Sequence, residues 1–256
     1  MNLRLVTWNL FHGRDNSPRR FRIVKSGERY AQFSGVLRRL EWDIALLQEA
    51  PPRWHEALVG DLGASGGCAL TSRNSVAWLR GLIADRAPDL IASNEGGSNQ
   101  TFARSGWSIA ESRMYTLTGR PERRRMLWTR LRADGGEEVA VANLHASVRN
   151  VPARSDEVLA AAGRAVEWAG NLPLVFGGDL NHSPAREPHV FAQLDARFGL
   201  APPTPGDAID HLLMRGLEVV DAPHKLPDSA REAESDGGLL MRLSDHACVA
   251  AVAGMK

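Results

Sequence analysis

Two rhythms of apolar and polar residues alternate along this chain. Short apolar, β-branched runs of strand length recur, and each carries at one end a polar residue of a type that binds ions or phosphate. Leu3 to Asn9 (LRLVTWN) closes on Asn9, Asp43 to Glu49 (DIALLQE) on Gln48 and Glu49, and Glu138 to His145 (EVAVANLH) on Asn143 and His145. Leu174 to Asn181 (LVFGGDLN) passes through two glycines to Asp179 and Asn181. Ala208 to Met214 (AIDHLLM) carries Asp210 and His211, and Leu243 to Val252 begins with Ser244-Asp245-His246 before turning apolar. On an extended chain, alternation sets Asp179 and Asn181 on the same side. Gly177 and Gly178 let a ligand or a neighbouring backbone come close. Six such strands together imply one polar site at the rim of a sheet core.

The second rhythm is helical. Tyr30 to Leu40 places Phe33, Val36, Leu37 and Leu40 on one face. Ser155 to Ala169 starts with Ser-Asp-Glu, a capping pattern, and ends at Gly170. Arg186 to Gly199 has Val190, Phe191 and Leu194 at helical spacing. Gly135-Gly136, between Leu131 and Val139, predicts a hairpin. Gly81 to Gly106 and Ala222 to Gly238 read as surface loops. The mixture implies two β-sheets packed face to face with helices outside.

Composition narrows this picture. The polar-ended strands are spread from Asn9 to His246, so a site built from all of them needs residues 1–256 as a single domain. A hydrophobic content of 43% suits a globular core, and no apolar run approaches the roughly 20 residues that span a bilayer. The chain opens on a strand without an apolar leader, so a cytoplasmic location is expected; a monomer is expected as well. Cys68 and Cys248 read as small buried residues rather than a disulfide. The net charge of +1 gives no general attraction to nucleic acid. Two basic stretches, Arg19 to Lys25 and Arg120 to Arg130, could contact a phosphate backbone. Only three of the 31 basic residues are Lys, however, and such arginine dominance scatters cations anywhere.

Glu49, Asp179 and Asp245, with the amides of Asn9 and Asn181, are hard oxygen donors suited to Mg²⁺ or Mn²⁺. His145 and His246 add proton transfer or positive charge near neutral pH. Asp210 is placed to orient His246 and raise its pKa. His12, His55, His189 and His224 read as surface or packing residues, His182 and His211 as facing away from the site, and Trp8 and Trp42 as core.

Thr7-Trp8-Asn9, Gln48-Glu49, Asn143-Leu144-His145, Gly178-Asp179-Leu180-Asn181, Ile209-Asp210-His211 and Ser244-Asp245-His246 follow one another in a telling order. The set resembles the endonuclease/exonuclease/phosphatase superfamily, with DNase I, abasic-site endonucleases, neutral sphingomyelinases and inositol polyphosphate phosphatases. The resemblance implies an α/β (α+β) fold, a four-layer α/β/β/α sandwich of two packed mixed sheets flanked by helices. It also implies hydrolysis of a phosphate ester with Mg²⁺, or Mn²⁺, as cofactor. By motif, Asn9, Glu49 and Asp245 would hold the metal. Asp179 would activate water, Asn181 would hold the phosphate, and His246 with Asp210 would meet the developing charge. His145 matches DNase I-like and sphingomyelinase-like members, whereas abasic-site enzymes usually carry Tyr there. Ala247-Cys248 replaces the usual proline after Ser-Asp-His, a change expected to touch packing rather than chemistry. A nuclease is the first expectation; a phosphatase or sphingomyelinase-like phosphodiesterase is the second; a non-catalytic binding module would not need both His145 and His246.

Overall fold

The structure, a computed structural model, describes residues 1–16, 26–71, 96–119, 123–148, 151–235, 237–238 and 240–255. The basic stretch Arg19 to Lys25 and most of the expected 81–106 loop lie outside them.

Strand β1 (Asn2–Asn9) runs parallel to β2 (Ile44–Ala50), in register from Leu5 opposite Ile44 to Asn9 opposite Gln48. Around them the first sheet adds β3 (Ala64–Leu70), β4 (Ser98–Arg104), β10 (Glu218–Lys225) and β13 (Val249–Gly254), in the order β10-β13-β1-β2-β4-β3. The second sheet has the order β5-β6-β7-β8-β9: β5 (Trp107–Thr118), β6 (Arg124–Ala133), β7 (Glu138–His145), β8 (Leu174–Asp179) and β9 (Asp210–Arg215). A short pair, β11 (Glu232–Glu234) and β12 (Leu240–Arg242), lies apart from both sheets. The helices are α1 (Ser26–Arg39), α2 (Trp54–Leu62), α3 (Val151–Ala169) and α4 (Pro188–Phe198).

Three apolar layers hold these elements together, as two sheets and two helical faces require. Phe33, Val36 and Leu37 of α1 and Leu58 of α2 pack with Trp8, Ala45 and Phe102 on the outside of the first sheet. Leu5, Ile44, Val141, Val175, Leu212 and Ala251 fill the space between the sheets. Val158, Ala162 and Ala165 of α3 and Leu194 of α4 cover Trp128, Leu144 and Phe176 on the second sheet. The fold is thus the expected α/β/β/α sandwich of two mixed sheets.

Several elements differ from the sequence reading. Residues 98–104 form a strand buried between β2 and β3, not a loop, because its polar Asn99, Gln100 and Thr101 are taken up inside the sandwich. Ala222 to Lys225 completes edge strand β10, and Asp228 to Arg231 forms a 3₁₀ turn before β11. Helix α3 begins at Val151, four residues early, so Ser155 is internal and its hydroxyl donates to the Val151 carbonyl at 2.8 Å. The expected hairpin joins β6 and β7, pairing Leu131 with Val139. Both cysteines are free, and Cys248 packs beneath α1.

Candidate active site

The chain directions gather the polar strand ends at one rim. β7 and β8 are parallel and bring His145 opposite Asp179; β9 is antiparallel to β8 and begins with Asp210 opposite Asp179. β1 and β2 end at the same side in the facing sheet. The segment before β13 carries Ser244, whose hydroxyl donates to the Asn9 carbonyl at 2.6 Å and accepts from the His246 amide at 3.0 Å. The five non-glycine residues at positive φ, among those described, are Phe11, His12, Glu49, Asn181 and Ser244. All lie at or just beyond these strand ends, and such backbone is held only where surrounding contacts enforce it.

Asp179 is the hub. Its Oδ2 accepts from Asn9 Nδ2 at 3.0 Å and lies 3.4 Å from His145 Nε2 and 3.9 Å from His246 Nε2. Its Oδ1 accepts the Asn181 amide at 3.0 Å. Asp179 and Asn181 meet through this turn and not through strand alternation: β8 ends at Asp179, and Asn181 takes φ 53°. The Asn181 side chain donates to the Ala146 carbonyl at 2.9 Å. The two glycines serve the neighbouring backbone, since a Cβ on Gly177 would overlap the His211 carbonyl and one on Gly178 the Leu144 carbonyl.

His246 Nδ1 lies 2.8 Å from Asp210 Oδ2, while its Nε2 is 3.9 Å from Asp245 Oδ1. Burial opposes charge on this ring, but the Asp210 hydrogen bond and the charges of Asp210, Asp179 and Asp245 outweigh it and lift the pKa to about 10. Burial, reinforced by Asp210, raises the Asp179 carboxyl to about 7 despite His246. Burial lowers His145 well below the usual histidine value, with Arg124, His246 and His12 adding to it. Arg124 donates to His145 Nδ1 at 2.8 Å, so the proton of the neutral ring sits on Nε2, facing Asp179.

Glu49 occupies φ 49° where the pairing of β2 with β4 shifts register. Its Oε1 is 3.6 Å from His145 Nδ1, and its Oε2 is 3.2 Å from His12 Nε2. His12 thus belongs to the site and not to the surface: burial, with Arg124 and Arg14, pulls its pKa to about 4. No pattern in the sequence marks it. Arg124 was visible only as part of a basic stretch. The other histidines follow the expectation. His182 and His211 are fully buried and bonded to backbone groups, His55 packs on Phe102, and His189 and His224 are exposed. Trp8 and Trp42 are core.

The oxygens of Asn9, Glu49, Asp179 and Asp245 suit a hard divalent cation. Ligand atoms of Asp179, Asp210 and His246 lie within 4.8 Å of one another, and Asp210 Oδ1 is buried without a hydrogen-bond partner. His246 Nδ1 is already paired with Asp210 at 2.8 Å, however.

A rim of metal-suited oxygens, two histidines and a shared carboxylate on a two-sheet sandwich defines a hydrolase-type centre. The chain belongs to the Endonuclease/Exonuclease/phosphatase family, whose sequence pattern matches residues 6–246. Members of this superfamily hydrolyse phosphoester bonds. No curated protein sequence matches the chain. Among solved structures, it resembles an endonuclease/exonuclease/phosphatase family protein from Bacteroides thetaiotaomicron: 17% identity, TM-score 0.69, covering 99% of this chain and 98% of that one. It also resembles the mannosyl-6-phosphatase of Bacteroides thetaiotaomicron VPI-5482, at 17% identity and TM-score 0.68 over 97% and 98% of the two chains. The human Nocturnin catalytic domain, with a bound sulfate, matches at 16% identity and TM-score 0.67 over 100% and 95%. At these identities the likeness is one of fold. Among the described residues, no helix is long and apolar enough to cross a membrane.

Proposed function

We propose that the chain is a divalent-metal-dependent phosphoesterase working as one catalytic unit at this rim. The observation that carries the reading is the hub at Asp179, which meets Asn9, His145 and the Asp210-paired His246 at one point. Asn9, Glu49 and Asp245 would hold Mg²⁺ or Mn²⁺, which when bound neutralises phosphate charge and supports the leaving oxygen. Asp179 would orient a water and take its proton as the water oxygen bonds to phosphorus. His145, neutral and fixed by Arg124, would keep the Asp179 carboxylate in place. The Asn181 amide would steady a phosphate oxygen. His246, held protonated by Asp210, would meet the charge that builds on phosphorus as the ester P–O bond breaks, and the departing oxygen would take a proton from solvent water while Asp179 returns its own to solvent. One chain supplies every group, which supports action as a monomer.

Phosphodiesters, nucleic acid first among them, remain the leading substrate class from the motif set. Small-molecule phosphates are the second class. Incubation with plasmid DNA, bis(p-nitrophenyl) phosphate and a panel of phosphomonoesters, with Mg²⁺ or Mn²⁺ and with EDTA, tests both. Turnover abolished by EDTA is expected, and Asp179→Asn and His246→Ala should each lose at least about a hundredfold in rate while staying folded. No turnover of any of these esters would end the enzyme reading, and near-normal activity in either variant would remove that residue from the mechanism.

A further inference from the structure

The turn that carries Asp245 and His246 is gripped by side chains on both flanks. Ser244, at its head, is fully buried and takes φ 59°, a conformation that a non-glycine residue keeps only where its surroundings enforce it. Its amide donates to the Arg14 carbonyl at 2.9 Å, and its carbonyl accepts from Arg231 Nη1 at 2.6 Å. On the other flank, Trp8 Nε1 donates to the His246 carbonyl at 3.1 Å. Trp8 belongs to the Thr7-Trp8-Asn9 motif, whereas Arg231 lies outside all the motifs of the sequence.

Arg231 sits in the 3₁₀ turn before β11 and is only 6% exposed. Its fork is filled on both sides. Nε and Nη2 lie 3.3 and 2.8 Å from Asp228 Oδ1, while Nη1 faces the Leu243 and Ser244 carbonyls at 3.5 and 2.6 Å. Asp228 is half-exposed and also pairs with Arg242 at 2.9 Å, so the buried end of the guanidinium is the end taken up by the turn. A hydrogen bond from a cation is stronger than a neutral one, and here it satisfies a carbonyl that folding has removed from water. We propose that Arg231 is a positioning residue: by holding the Ser244 carbonyl it sets the Asp245 carboxylate and the His246 ring at the rim. The inference rests on the phosphoesterase reading for the roles of Asp245 and His246, and adds to that site a residue acting through backbone alone.

Arg231→Ala should stay folded, because the Leu243 amide still reaches the carbonyl of residue 231, at 3.0 Å, and Leu243 still bridges to Asp15. In the metal-free variant, amide hydrogen exchange should quicken about tenfold or more over residues 243–248 and stay unchanged in β7 and β8. Calorimetry should show Mg²⁺ binding about tenfold weaker. At saturating Mg²⁺, kcat on the ester turned over fastest should fall at least about tenfold while KM stays within about twofold. Arg231→Lys keeps the charge but not the fork, and should show each loss at about threefold or more. Asp228→Asn keeps the Nη1 bond to Ser244 and should stay within about twofold of wild type in all three measurements. Wild-type exchange, metal affinity and kcat in Arg231→Ala, or in Arg231→Lys if the alanine variant does not fold, overturns the proposal. An Asp228→Asn variant that loses as much as Arg231→Ala also overturns it, since docking of the 3₁₀ turn would then be the cause. If wild type turns over no ester, while Arg231→Ala still loosens residues 243–248 and weakens Mg²⁺ binding, the phosphoesterase reading fails and the positioning role stands.

Discussion

His12 shows how a single side chain acquires a role from its surroundings. It sits at φ 53° just past β1, with Nε2 3.2 Å from Glu49 and a buried Nδ1 that finds no partner. Neutral at physiological pH, it can donate to Glu49 without carrying charge into the rim. Outer hydrogen bonds of this kind orient carboxylates that hold metals. His12→Ala should therefore weaken Mg²⁺ binding by about tenfold, with His12→Gln retaining part of the affinity. An unchanged calorimetric metal titration in His12→Ala would leave His12 as packing. A lone histidine looks like a surface or packing residue because a sequence shows residue types and spacing, while the φ value and the nearness of Glu49 arise from folding.

Strand β8 shows the same at the scale of an element. Its apolar start was legible as a strand, and its closing Gly-Gly-Asp was legible as a place of close approach. What approaches is the backbone of β7 and β9, which squeeze Gly177 and Gly178 from either side. Gly178 also takes φ 114°, which side chains rarely adopt. Gly178→Ala is expected to cost about 3 kcal/mol or more of stability in urea unfolding. A cost below about 1 kcal/mol would mean that the β7–β8 pairing can relax there. Strand β4 is hidden in the sequence for the opposite reason. Ser98, Asn99, Gln100 and Thr101 look like a loop, yet Asn143 Nδ2 donates to the Gln100 carbonyl at 2.9 Å and Gln48 Nε2 to Asn143 Oδ1 at 2.8 Å. This polar network pins the two sheets together beneath the rim, joined by Asn99 Nδ2, which donates to the Arg125 carbonyl at 2.7 Å.

For the molecule as a whole, the buried neutral histidines set the acid limit of stability. His211 accepts from the Thr204 amide at 3.1 Å and donates to the His182 carbonyl at 2.9 Å, and burial holds its pKa near 4. The unfolded chain takes up that proton near pH 6.5, so this contribution is complete above that value and is lost as pH falls toward 4. His12 and His145 act in the same direction, whereas Asp179, with its raised pKa, acts in the other. The stability advantage of wild type over His211→Gln should shrink by about 3 kcal/mol between pH 7 and pH 4. An advantage constant across that range would show that His211 is not held neutral by the fold. His246 differs in sign: its contribution is full below pH 6.5 and fades as pH rises through about 10.

The sequence by itself determined the strands, their polar ends, the two-sheet architecture and the family, because alternation, apolar runs and ordered motifs are local or linear properties. It marked Asn9, Glu49, His145, Asp179, Asn181, Asp210, Asp245 and His246 as one set without showing how they touch. Tertiary structure alone decided that Asp179 is the hub, that Asn181 reaches it through a turn, that His12 and Arg124 join the rim, and that a cavity lined by charges of both signs opens beside His246. The physical reason is that contacts, burial and the pKa shifts they cause depend on distances between strand ends. Those distances exist only once both sheets have closed on one another.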